Sequence, residues 1–246
     1  MKIVFLGTNG WYDTETGNTV SILIETKHEF IILDAGGGFH KIGRYIKGNK
    51  PISLFLSHLH LDHIIGLHTL ARFNFPQGIS LYCPAGTKKS LTRIINRPYT
   101  VPFKRLKTKI SLHQLNPAKL PMPLKEIKRL KHPVACYGFR FVLENKIVSY
   151  CPDTGLCSNL FKLAKGADMF ITECSAKPGK KDKKWPHLDA KEAALVAKQA
   201  KAKKMILVHF NPYLYPDLGE RKKAVKQAKR IFKNSLAAFD NQTVNL

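Results

Sequence analysis

Residues 57–67 read SHLHLDHIIGL and hold three histidines and one aspartate within six positions: His58, His60, Asp62 and His63. Imidazole and carboxylate are ordinary ligands of zinc and similar divalent metals. Residues two apart in an extended loop point the same way, so His58 and His60 can reach one ion together. Asp62 and His63 follow at a turn into a helix and can point toward a second ion. The apolar ISLFLS before them supplies a rigid strand end, where functional loops usually sit. Each ion needs three or more ligands, so two ions need more than these four residues. His132, Asp153 and His209 are the further candidates, each closing a strand-like run: LKEIKRLK, IVSYCP and MILV.

The elements that must position these side chains are legible as short runs. KIVFL, VSILIE, FIILDAGGG, ISLFLSH and ISLYCP are bounded by Gly, Pro, Asn or charge and read as strands. Helices are predicted over 62–73 and 85–96. Two more strands fall at 138–143 and 146–150, joined by Glu144-Asn145 as a hairpin. A helix near 156–165, the strand DMFIT, a helix over 189–202, the strand MILVHF and a basic helix over 217–233 follow. Asp189 followed by Glu192 has the pattern of a capping box. Strand runs first, then alternating helix and strand, favour sheets with helices outside. The basic, proline-rich stretch 97–125 is predicted to be irregular and mobile.

Composition narrows the classes. A chain of 246 residues with 44% hydrophobic residues can bury a sizeable core and is read as one domain over 1–246. No window approaches 18 uninterrupted apolar residues, so no membrane span is expected. MKIVFLG lacks a small-residue cleavage site and is not read as a signal peptide. Five cysteines, odd in number and without a C-x-x-C, suggest reduced, mostly buried thiols in the cytoplasm. The 41 Lys and Arg against 17 Asp and Glu give a net charge of +24, and no acidic residue lies between His63 and Lys125. Such a surface attracts polyanions, nucleic acid foremost, although lysine as the default solvated residue gives the same count. Phe73, Phe75, Tyr82, Tyr99 and Phe103 interleave with that basic stretch. They would stack bases, or belong to the core. Trp185, beside His187 and lysines 180, 181, 183 and 184, is the aromatic expected to line an entrance.

On these motifs the sequence resembles the metallo-β-lactamase superfamily over nearly its whole length. The resemblance implies an α/β (α+β by some schemes) four-layer αββα sandwich, with two central sheets and helices outside. FIILDAGGG resembles the first motif, whose aspartate, here Asp34, supports the metal loop without ligating. SHLHLDHIIGL resembles the second, KHPV the third, CPDTG the fourth and LVHF the fifth. Carried over by position, His58, His60 and His132 hold one metal, Asp62, His63 and His209 hold the other, and Asp153 bridges. CPDTG and PHLDAKEAALVAKQA look like the ribonuclease Z-like branch of phosphodiesterases. There a histidine in the place of His187 protonates the leaving oxygen. ITECSAKPGK with PHLD also resembles a short cyclic-phosphate diesterase. Leu61 stands where the family's second motif has glycine. The N-terminal loop lacks the family's usual proline and arginine. Only 21 residues separate His132 from Asp153, too few for the flexible arm that clamps tRNA.

The resemblance therefore implies a hydrolase with two divalent ions, zinc first, with manganese and iron suiting the same donors. Asp62 would orient the attacking water as well as bind metal, and His187 would act as general acid. Glu173 is either the hydrogen-bond partner of His187 or of a ligand histidine, or a surface carboxylate. The expected substrate is a phosphodiester, RNA included. The alternatives are a small ester of the same fold (cyclic phosphodiester, lactone or thioester) and, in another class, a basic nucleic-acid-binding protein without catalysis. Substrate-binding residues are not assigned, and a homodimer is left open.

Overall fold

The computed structural model describes every residue except Lys181 and Lys183. In chain order the strands and helices begin with β1 (Lys2–Gly7), β2 (Ser21–Glu25), β3 (Phe30–Leu33), β4 (Ile52–Phe55), α1 (Leu61–Ile64), β5 (Ile79–Cys83) and α2 (Lys88–Ile94). They continue with β6 (Ile110–Gln114), β7 (Leu124–Arg129), β8 (Tyr137–Leu143), β9 (Lys146–Cys151), α3 (Ser158–Ala164) and β10 (Met169–Glu173). The chain ends with α4 (Ala190–Gln199), β11 (Met205–Val208), α5 (Leu218–Lys229), β12 (Ser235–Ala237) and β13 (Gln242–Asn245).

The strands form two sheets, ordered β13-β1-β2-β3-β4-β5-β6 and β12-β11-β10-β9-β8-β7. Each is mixed: β3 to β6 run parallel in the first, and β9 to β12 in the second. Three apolar interfaces separate four layers. Along β1, Ile3 and Phe5 face the second sheet while Val4 and Leu6 face the outer layer, so the strand reads as one unbroken apolar run. Phe55, Phe139, Phe141 and Tyr150 fill the space between the sheets. Ala193, Ala197 and Ala228 let α4 and α5 approach the second sheet closely.

The expected sandwich is the observed one, with local differences. The stretch predicted as helix over 62–73 is one α-turn followed by a 3₁₀ segment, Ile65–Arg72. Gly66 lets this segment pack against the loop after β3: a Cβ there would collide with the carbonyl oxygens of Ala35 and Gly36. The stretch 97–125 is not irregular throughout. Residues Ile110–Gln114 pair in parallel with β5, and β7 begins at Leu124. The prolines flank these strands and leave their ladder intact. The Glu144-Asn145 hairpin is present, both residues having positive φ (48° and 61°) as a tight hairpin turn requires. The Asp189–Glu192 capping box closes the start of α4. Among the described residues, no helix is long and apolar enough to cross a membrane.

Candidate metal centre

The parallel strands deliver their C-terminal ends to one place, where open α/β sheets bind ligands. Asp34 follows β3, His58 follows β4, Asp153 follows β9, Glu173 ends β10 and His209 follows β11. His132 arrives from the turn after β7. One ligand atom from each of His58, His60, His132 and Asp153 lies within 4.8 Å of the others; the same holds for Asp62, His63 and His209.

Hydrogen bonds on the far side of the rings set their orientation. Ser57 Oγ lies 3.0 Å from His58 Nδ1, Asp34 Oδ2 lies 2.9 Å from His63 Nδ1, and Ser175 Oγ lies 2.8 Å from His209 Nδ1. Each contact leaves Nε2 turned inward. His63 Nε2 is 3.1 Å from His209 Nε2 and 3.0 Å from Asp153 Oδ1. Asp153 presents its other oxygen, Oδ2, 4.0 Å from His58 Nε2. His132 Nε2 and His60 Nδ1 approach to 3.3 Å. So many acceptors facing one another without donors is the arrangement a cation resolves. The buried His58 Nε2 has no hydrogen-bond partner, and Asp153 Oδ1 meets only ring nitrogens, His63 Nε2 at 3.0 Å and His209 Nε2 at 3.2 Å. The residues present therefore fit two divalent cations, with Asp153 facing both.

The electrostatics differ between rings: against burial, Asp153, Asp62 and Asp34 hold His63 well above the usual imidazole value, a positive charge that a cation would replace. Burial, reinforced by His63, holds His58 well below the usual imidazole value, and burial lowers His132 to about 4. Both are thus neutral donors at pH 7. Burial opposes ionisation of Asp153 and Asp62, yet neighbouring His209 and His63 hold both carboxyls low. Asp62 Oδ2 also accepts the Trp11 backbone N–H at 2.7 Å.

His187 sits apart from the ligand rings but within the same cluster, with a ring nitrogen inside 4.8 Å of Asp153 and His209 atoms. Its Nδ1 is 2.8 Å from Glu173 Oε1. Burial works against its charge, but Glu173 raises it to about 9. Glu173 is fully buried and also accepts the Thr154 and Ser175 N–H groups, so it is no surface carboxylate.

A cavity of about 750 Å³ opens over the cluster, lined by Trp11, Asp153, Lys180, Trp185, His187 and Asn211 among others. Trp185 lines it as expected; of its lysine neighbours, Lys181 and Lys183 lie outside the described residues. The aromatic row of the basic stretch resolves mostly as core. Phe73 and Phe75 are buried, Tyr82 stacks on Phe55 at 4.8 Å, and Phe103 packs against the core; Tyr99 is exposed. The cysteines are free, and all but Cys157 are buried.

Sequence reasoning missed Ser57, Ser175, Tyr150, Trp11 and Gly10. Ser57 precedes His58 and Ser175 follows Glu173 by two, so adjacency to assigned residues was the available signal. Tyr150 OH reaches Asp34 Oδ2 at 2.7 Å across 116 positions of chain, and nothing local announces it.

Comparison with known proteins places this geometry in context. The family profile described as "Beta-lactamase superfamily domain" matches residues 30–210. The probable metallo-hydrolase YhfI of Bacillus subtilis is 25% identical, over 94% of each chain. Its crystal structure superposes with a TM-score of 0.83 at 21% identity, covering 99% of this chain and 98% of that one. A ribonuclease Z of Listeria monocytogenes serotype 4b is 27% identical over 98% of this chain and 97% of its own length. The short form of human tRNase Z has the same fold, with a TM-score of 0.74 at 22% identity, covering 100% of this chain and 99% of that one.

Proposed function

The chain belongs to the β-lactamase superfamily, and from that membership we propose that it is a phosphodiesterase working with two divalent metal ions. His58, His60 and His132 would hold one ion, Asp62, His63 and His209 the other, and Asp153 would bridge. Zinc suits this set of imidazoles and carboxylates, and manganese or iron suit it too. Bound there, such ions lower the pKa of a shared water and stabilise charge developing on phosphoryl oxygens. Asp62 orients the attacking water, its carboxylate fixed by the Trp11 N–H. His187 Nε2 gives its proton to the departing alkoxide, while Nδ1 stays on Glu173.

The observation that carries this reading is the His187–Glu173 pair. An alkoxide leaves a phosphodiester poorly and needs an acid, and this imidazole lies inside the cavity with Nδ1 2.8 Å from the buried Glu173, which favours its protonated form. A thioester would not need it, because a thiolate leaves unaided. The full set of ligand-type residues counts against a binding protein without catalysis. Relatives named ribonuclease Z and the +24 net charge support a nucleic-acid or nucleotide-type phosphodiester. The segment between His132 and Asp153 holds little more than the β8–β9 hairpin, which favours a substrate smaller than a clamped tRNA. The same reading treats residues 1–246 as one domain acting in the cytoplasm, with a homodimer as its candidate assembly.

The test is turnover by metal-loaded protein on bis(p-nitrophenyl) phosphate, a cyclic phosphate, a precursor tRNA and a lactone, side by side. Diester cleavage is expected. His187→Ala should keep its metal and lose about 10²–10⁴-fold in turnover of the cyclic phosphate and the precursor tRNA, whose leaving groups are alkoxides, and far less on the p-nitrophenyl ester, whose phenolate leaves unaided. Cleavage of the lactone alone would overturn the proposal, and a wild-type rate of His187→Ala on an alkoxide-leaving diester would remove the acid role.

A further inference from the structure

We propose that the substrate carries a nucleobase next to the scissile phosphate, and that this base stacks on Trp185 at the mouth of the metal cavity. The inference rests on the phosphodiesterase reading and names its substrate class.

The chain has two tryptophans, and both line the one cavity over the candidate metal centre. Neither is spent on the core: Trp185 is 48% exposed and Trp11 is 67% exposed. A tryptophan that merely plugged a loop would be buried. The Trp185 ring nonetheless packs on the cluster. It lies face-on to His60, with centroids 5.5 Å apart and planes at 10°, and edge-on to His132 at 5.8 Å and 73°. Two rings of the metal cluster thus hold the indole flat while nearly half of the residue stays open.

A flat, half-open aromatic beside a candidate phosphate-binding centre is a platform for a π-face, and every base has one. Trp11 forms another part of the wall. Its backbone is held at φ 65° with its N–H on Asp62, and its ring meets Tyr12 edge-on. Lys180 and Asn211 give the lining a cation for a phosphate and an amide for a base edge. The cavity volume of about 750 Å³ is in the range of small-ligand sites. The basic stretch offers no competing row of platforms, since most of its aromatics are packed inside.

Two esters with one leaving group and one sugar isolate the base: thymidine 5′-(p-nitrophenyl) phosphate and its abasic 1′,2′-dideoxyribose counterpart. The wild-type protein should favour the nucleoside ester in kcat/KM by about tenfold or more. Trp185→Leu should bring that ratio toward one and Trp185→Phe should retain most of it. Metal content and melting temperature are measured on each variant to show that the centre is intact. Because no tryptophan lies elsewhere, fluorescence excited at the red edge of the indole band, where the eight tyrosines do not absorb, reports the cavity. AMP should quench it and ribose 5-phosphate should not, with the effect reduced in Trp185→Phe. Equal hydrolysis of the two esters by the wild type, or an unchanged ratio in Trp185→Leu, overturns the stacking proposal. Hydrolysis of neither ester overturns the phosphodiesterase reading instead, and the AMP quench still decides the stacking. Inhibition by AMP against a ten-nucleotide oligoadenylate separates the two sources of a base. Equal inhibition assigns a mononucleotide-sized substrate, and tighter oligomer binding that salt weakens steeply assigns RNA.

Discussion

His187 Nδ1 lies 2.8 Å from Oε1 of Glu173, a carboxylate with no solvent exposure. Burial alone would push the imidazole below its ordinary 6.5, but Glu173 raises it to about 9. The acid form is then the resting form at neutral pH, and activity that needs it falls as pH rises through the raised value. Bound cations draw the same group down, so the informative quantity is the displacement between proteins under one metal load. Glu173→Gln removes the charge and keeps the burial. Its alkaline limb in kcat/KM should move to lower pH by one unit or more. Stability follows the same sign: the pair's contribution is complete below about pH 6.5 and is lost as pH rises through about 9. A pH profile identical in Glu173→Gln and the wild type would sink the assignment.

Asp34 is a hub, not a ligand. Its carboxylate accepts from Ser57 N at 2.7 Å, Ser57 Oγ at 2.8 Å, Tyr150 OH at 2.7 Å and His63 Nδ1 at 2.9 Å, with no exposure. It also sits at φ 55°, a conformation asparagine tolerates well. Asp34→Asn should therefore fold but orient His63 poorly, lowering metal affinity about 10–100-fold. Asp34→Ala leaves these donors buried without an acceptor and should cost about 3–5 kcal/mol as well. Competition with a chromogenic chelator and denaturant melts measure the two effects. Wild-type metal affinity in Asp34→Asn would show that the hub does not orient the ring.

The candidate site was more legible than the scaffold because metal ligands are few in type and crowd together in sequence. His58, His60, Asp62 and His63 stand out within six positions, and His132, Asp153 and His209 each close a strand-like run. The structure brings all seven together. What escaped is set by contacts distant in sequence. Tyr150 and Ser175 are ordinary polar residues until the fold aims them at Asp34 and His209. The three-residue β12 and the polar β13 carry too few apolar residues to show a period, and they exist because β11 and β1 offer open edges. Strand β6 was hidden by the prolines around it, although its Ile110 and Leu112 pack against the outer core.

Gly10 is a place where one methyl group should disable the site. A Cβ at Gly10 would lie 2.8 Å from His209 Nε2 and closer still to two other atoms of the ring. The ring cannot swing aside easily, since Ser175 Oγ holds Nδ1 and the backbone of His209 is already at φ 54°. Nor can the glycine loop retreat, because Gly10 N donates to Phe210 O at 2.9 Å. Gly10→Ala should displace His209 by a fraction of an ångström or more and lower kcat/KM about 10²-fold. The overpacking should cost about 1–3 kcal/mol. Full activity with full metal occupancy in Gly10→Ala would mean that His209 has freedom this packing denies it.

Metal loading should be visible in stability independently of any substrate. Without a cation the cluster buries His58 Nε2 without a hydrogen-bond partner and packs His63 Nε2 3.1 Å from His209 Nε2. The seven ligand residues come from four separated segments of chain, so an ion joining them binds the folded state and not the unfolded one. At a free metal concentration of 100 times Kd the stabilisation is about 2.7 kcal/mol per site. For a chain of this size each kcal/mol moves Tm by about 2–4 °C, so one occupied site should raise it by about 5–10 °C. Asp153 faces both halves of the cluster, and Asp153→Ala should bind less metal and lose most of that rise. Calorimetry with zinc or manganese added, then with chelator, reads both, and elemental analysis supplies the stoichiometry. A melting temperature indifferent to metal and chelator would mean that these side chains meet without holding an ion, and the catalytic proposal would fall with them.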